Sequence, residues 1–168
     1  SEPGEIVVGE PDGRDRFRHF SLAIASSPCH LSPDRLEALL TRAAFTLPTN
    51  TIVYRRAALL EAGGLRPELG WHADWFAAHT VALRHGACFV PRNLAFFRVR
   101  SGSYSALARR DKAERARVLR TLVNLLSSDE CSDISPRMHC AGIAPEYNFK
   151  LLITLIRSSK SPPFLSLL

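Results

Sequence analysis

The run of residues 63–105 constrains this chain more than any other stretch. Two glycine stops, Gly63-Gly64 and Gly86, bracket one helix-forming segment that opens at Asp74. Glycine suits the position just past a helix end because it adopts a left-handed backbone without a Cβ clash. Trp75, Ala78, Ala82 and Leu83 recur at helical spacing inside the bracket, so a helix is expected from Asp74 to Gly86. Two short β-like runs, 88–90 and 94–99, follow on either side of Pro91-Arg92-Asn93. The chain then returns in a basic, hydroxyl-rich loop, Arg98 to Ser105.

The flanks read as alternating helices and strands. Ser32-Pro33-Asp34 is a helix start, with a capping hydroxyl, a proline at the first helical position and an acid in the first turn. Leu36, Leu39, Leu40 and Ala43 continue it to about Phe45, before Pro48. Thr51-Ile52-Val53-Tyr54 predicts a strand, 55–62 a short helix and 65–73 a loop. Further strands are expected at Ile6-Val7-Val8 and along Phe17, Phe20, Leu22 and Ile24. Residues 107–126 predict one long amphipathic helix with Ala108, Arg115, Leu119, Leu122 and Leu126 near one stripe. Its other face carries Arg109, Arg110, Lys112, Arg117 and Arg120. A polar break at 127–136, a last helix at 145–156 and a proline-interrupted tail complete the chain.

The 168 residues amount to about one domain, with room to bury a core. The formal charge of +6 suits an anionic partner such as a nucleotide diphosphate or a membrane surface, or simply a solvated arginine-rich exterior. None of the four cysteines has the two-residue spacing of a zinc or redox motif, so free thiols in a reducing, cytoplasmic compartment are expected. No apolar run reaches the ~20 residues of a membrane span. The start at Ser1 rather than Met leads to the expectation of a trimmed or excised domain.

Asp74 leads the candidates for chemistry. An acid before an apolar-periodic run is a helix cap, its carboxylate accepting from backbone N–H groups. The same placement holds a carboxylate rigidly at an exposed helix mouth, where it can take a proton from an incoming hydroxyl. The indole of Trp71, which follows Gly70 in a polar loop, can stack on a sugar ring; Trp75 reads as core. His72 reads as a surface histidine or as a residue that orients an acceptor. Glu68 is solvated, or is the fallback base. Arg98 and Arg100 alternate along a strand end, so both forks can face one phosphate group.

These pieces together resemble one family. Val53 to Leu65, Trp71-His72-Ala73-Asp74-Trp75-Phe76, Gly86 to Pro91, Leu94 to Arg100 and Ser103-Tyr104-Ser105 are similar, in order and spacing, to the C-terminal half of family 2 glycosyltransferases. The resemblance implies the GT-A fold, an α/β architecture: here a partial mixed sheet flanked by helices, with a helical C-terminal extension. Residues 1–105 would be the acceptor-side part and 106–168 the extension. It implies inverting transfer of a hexosyl group from a nucleotide-sugar to a saccharide or other hydroxyl acceptor. Asp74 falls on the base, Arg98 and Arg100 on the diphosphate-facing loop, and Trp71, His72 and Glu68 beside the acceptor. The family holds Mg²⁺ or Mn²⁺ with an Asp-x-Asp motif in its N-terminal, nucleotide-binding half. No Asp-x-Asp occurs in this sequence. The metal is therefore expected in a missing N-terminal half of the same chain, and the fragment alone is expected to be inactive.

Two other readings stand beside this one. The basic face of 107–126 could dock anionic lipid at the inner face of the membrane, or nucleic acid, in a non-catalytic module. No nucleic-acid-binding motif is found, and no aromatic residues interleave with the basic ones as stacking platforms. A helical scaffold domain would leave Asp74 buried as a cap.

Overall fold

The computed structural model describes residues 24–43, 47–92, 94, 104, 108 and 110–141. In chain order these form a strand β1 (Cys29–Leu31), helix α1 (Pro33–Ala43), helix α2 (Arg56–Glu61), helix α3 (Ala73–His85), strand β2 (Ala87–Phe89), helix α4 (Lys112–Leu126) and helix α5 (Ser135–Cys140). Short 3-10 turns at Thr49–Thr51, Pro67–His72 and Asp129–Cys131 connect them. The class is mixed helix and strand, mostly helical. Where several strands of a mixed sheet were expected, the described residues hold one two-stranded antiparallel ribbon, with His30 opposite Cys88.

Each helix has a local reason to begin or stop. In α1 the Ser32 hydroxyl accepts from the Arg35 N–H at 3.3 Å, and Leu36 and Leu40 turn inward. Helix α2 ends as the N–H groups of Gly63 and Gly64 return to the carbonyls of Leu60 and Leu59, at 3.0 and 2.8 Å. Helix α3 stops at Gly86, whose φ of 79° favours glycine. A Cβ there would run into the carbonyl oxygen of Leu31, so the missing side chain also lets β1 lie against the helix end. Helix α4 starts at Lys112 because the Asp111 carboxylate caps it, accepting from Ala113 and Glu114 N–H at 2.9 and 3.1 Å. The single helix expected over 107–126 is therefore cut at that cap.

Helix α3 is the centre of the molecule. Phe76, Ala77, Ala78, His79, Thr80, Ala82 and Leu83 are all buried, more than one amphipathic face would supply, because α1, α2 and the Pro67–His72 turn all pack on it. The core joins Leu31, Leu36, Leu40, Leu69, Phe76 and Leu83 to Leu122, Cys131, Ile134 and Met138. Two of these, Cys131 and Ile134, come from the segment 127–136 read as a polar break, and Met138 lies just beyond it. Cys131, Ile134 and Met138 are in fact buried, carried by the 3-10 turn, the bend after it and α5. Arg84 fixes that turn: its Nε and Nη2 donate to the two oxygens of Asp133 at 2.7 and 2.9 Å, and Nη2 also to Glu130 O at 2.8 Å. The fork holds the Asp133 carboxyl below its ordinary pKa.

Two further expectations are corrected. Residues 51–54 form no strand. Thr51 closes a 3-10 turn, Ile52 and Arg55 are extended, and residues 52–54 have no ladder partner among the described residues. Extended backbone and half-exposed alternation satisfy β propensity without a neighbouring strand. The loop expected at 65–73 is instead the 3-10 turn Pro67–His72, kinked where Gly70 takes φ 51°. The strand expected at 6–8, all but Leu94 of the one expected at 94–99, the helix expected at 145–156 and most of the 17–24 pass lie outside the described residues.

Candidate functional site

Asp74 is the second residue of α3, not its cap; His72 occupies the cap position and makes no side-chain capping bond there. The Asp74 side chain is exposed, and both its oxygens are held. Oδ1 accepts from the Trp75 backbone N–H at 2.7 Å. Oδ2 accepts from the Thr49 hydroxyl at 2.8 Å, across 25 residues of chain. A carboxylate oxygen offers about two lone-pair directions, so among the described residues each retains an open one. The hydroxyl oxygen of Tyr54 is buried with no hydrogen-bond partner among the described residues. Burial, and then the Asp74 charge, push the Tyr54 pKa above its ordinary value.

Four rings from the turn and from α3 form a run of their own. Trp71 lies on His72 with ring centres 3.7 Å apart and planes tilted by 40°. His72 meets Trp75 edge-on at 5.7 Å, and Trp75 lies on His79 at 4.6 Å. His72, read from the sequence as a surface residue or an acceptor contact, is 7% exposed. It packs between the two indoles. Trp71 and Trp75 are each half-buried. His79 is completely buried, and its Nδ1 lies 2.8 Å from the Trp75 carbonyl oxygen. A carbonyl only accepts, so Nδ1 carries the hydrogen. Burial pushes the His79 pKa down to about 4 against the smaller opposing effect of that bond.

Glu68 is exposed on the Pro67–His72 turn, with its carboxylate 3.7 Å from Arg66 Nη1. Arg66 also pairs with Glu130 and lies over the Phe76 ring. Arg117 donates to the Glu68 backbone oxygen at 3.1 Å and forks onto Glu114, so this cation of the basic helix is engaged within the protein. Trp71 and His72 are thus brought together with Trp75, Asp74 is tied to the Trp75 backbone and to Thr49, and Glu68 is turned to Arg66. Arg98 and Arg100 lie outside the described residues. Thr49, Tyr54 and His79 belong to the neighbourhood and escaped the sequence reading. Tyr54 could have been found from its place in the quoted motif; no spacing signals Thr49.

A shallow groove of about 390 Å³ elsewhere is lined by Asp34, Glu37, Ala38, Thr41 and Arg137, none of them a candidate for chemistry from the sequence. Arg137 there pairs with Asp34 at 2.8 Å and Glu37 at 3.1 Å. All four cysteines are free, and among the described residues no group of three or more His, Cys, Asp or Glu is placed to hold a metal ion. No helix among the described residues is long and apolar enough to cross a membrane. Comparison with protein-family models, with curated proteins and with solved structures returns no match.

Proposed function

We propose that this chain is the acceptor-binding, base-bearing part of an inverting glycosyltransferase with a GT-A-like architecture. The observation that carries the reading is the exposed Asp74 carboxylate, held at both oxygens at the mouth of α3. Its exposure favours this reading over a helical scaffold in which the acid is buried.

In this mechanism an acceptor hydroxyl donates to an open lone pair of Asp74. The carboxylate takes that proton as the hydroxyl oxygen bonds to the anomeric carbon. The bond from that carbon to the nucleoside diphosphate breaks on the opposite face, which inverts the configuration. Arg98 and Arg100 offset the charge on the departing diphosphate. Trp71 stacks on the acceptor ring, and His72, packed on it, fixes its plane. The pairing of Glu68 with Arg66 leaves Asp74 as the base. The nucleotide is held by a partner half. A divalent metal bound in that half would neutralise the diphosphate.

The test is acceptor-dependent release of nucleoside diphosphate by the protein expressed from its complete reading frame. It uses a panel of UDP-, GDP- and dTDP-hexoses with Mg²⁺ or Mn²⁺, and NMR of the product's anomeric centre. Release with inversion is expected for at least one donor. Absence of acceptor-dependent release across the panel, or retention of configuration, overturns the reading.

A further inference from the structure

Asp74 does not hold its carboxylate alone. Its Oδ1 bond is to the next residue's backbone, and by itself leaves the plane of the group free to rock about the Cβ–Cγ bond. The second tether comes from a different part of the chain. Thr49 opens the 3-10 turn Thr49–Thr51, which packs against α3. That turn is itself tied down: Thr51 N–H donates to Pro48 O at 2.9 Å, and the Thr51 hydroxyl donates to the same oxygen at 2.8 Å. The Thr49 hydroxyl is therefore delivered to Oδ2 from a fixed base. Pinning both oxygens from two elements sets the carboxylate plane, and so the direction of each remaining lone pair.

We propose that Thr49 is a positioning residue for Asp74, its hydroxyl orienting the carboxylate toward the acceptor. The inference rests on reading Asp74 as the base. A general base acts only within hydrogen-bond reach and in line with the proton it removes, and small displacements cost rate steeply. Loss of the tether therefore falls on the chemical step and leaves donor binding alone.

The experiment compares Thr49→Val, Thr49→Ser and Asp74→Asn in the complete protein, with the nucleotide-sugar on which the unsubstituted protein turns over. Valine keeps the shape and removes the donor; serine keeps the donor. Thr49→Val is expected to lower kcat roughly ten- to hundredfold, with donor KM within about threefold and the thermal midpoint unchanged. Thr49→Ser is expected to restore kcat to within about threefold. Full kcat in Thr49→Val, or a serine variant as slow as the valine one, overturns the positioning role. Loss of turnover in Asp74→Asn with none in Thr49→Val removes this inference alone. Undiminished turnover in Asp74→Asn removes the base assignment and this inference with it.

Discussion

His79 makes the protein acid-sensitive in a way that can be worked out from its surroundings. The ring is completely buried, one nitrogen donates to the Trp75 carbonyl at 2.8 Å, and Nε2 has no partner among the described residues. Protonation would put a charge and an unsatisfied N–H into that interior, so burial holds the pKa down to about 4. In the unfolded chain the same imidazole titrates near 6.5. Between those values the unfolded chain binds the extra proton and the folded one does not, so stability falls as pH falls. At 1.36 kcal/mol per pH unit the loss reaches about 3 kcal/mol at pH 4. That is a large share of the roughly 5–15 kcal/mol that holds a domain folded. His79→Leu keeps an apolar group of similar size and removes the titration. Urea unfolding of both proteins at pH 7.5, 6.5, 5 and 4 measures the difference, and the other ionisable groups cancel in the comparison. The parent should lose about 3 kcal/mol more than the variant over the interval from 6.5 to 4. Parallel stability curves would refute the buried, neutral histidine.

Two further outcomes test the elements that carry the site. Gly86→Ala forces a side chain into a positive-φ position and against the Leu31 carbonyl. It should cost about 2–3 kcal/mol and speed hydrogen exchange across the β1–β2 pair, seen by denaturant unfolding and exchange mass spectrometry. Asp111→Ala removes the α4 cap; a loss of about 1 kcal/mol, or roughly 3 °C in thermal midpoint, is expected by calorimetry.

Local punctuation was legible in the chain. Ser32-Pro33-Asp34, Gly63-Gly64 and Gly86 mark helix ends by backbone chemistry that needs no distant partner, and each stands where expected. Cap placement was less so: Asp111 reads as one more polar residue of a long helix, yet it divides the segment. Cys131, Ile134 and Met138 recur at intervals of three and four, a helical spacing hidden by the serines and acids between them. At the site, Trp71, His72 and Asp74 are neighbours in sequence and stay neighbours in space. The burial of His72 is not signalled by its polar neighbours in sequence. The Thr49–Asp74 bond spans 25 residues and follows from packing alone, which no local pattern encodes.

Single-turnover kinetics of the complete protein and its Asp74→Asn variant, with donor affinity measured separately, bear most directly on the base. The amide keeps the shape of the carboxylate and cannot take the proton. Turnover should fall by roughly 10²–10⁴-fold, the range for loss of a general base, with donor affinity unchanged. A variant that turns over within about tenfold of the parent would contradict the role given to Asp74.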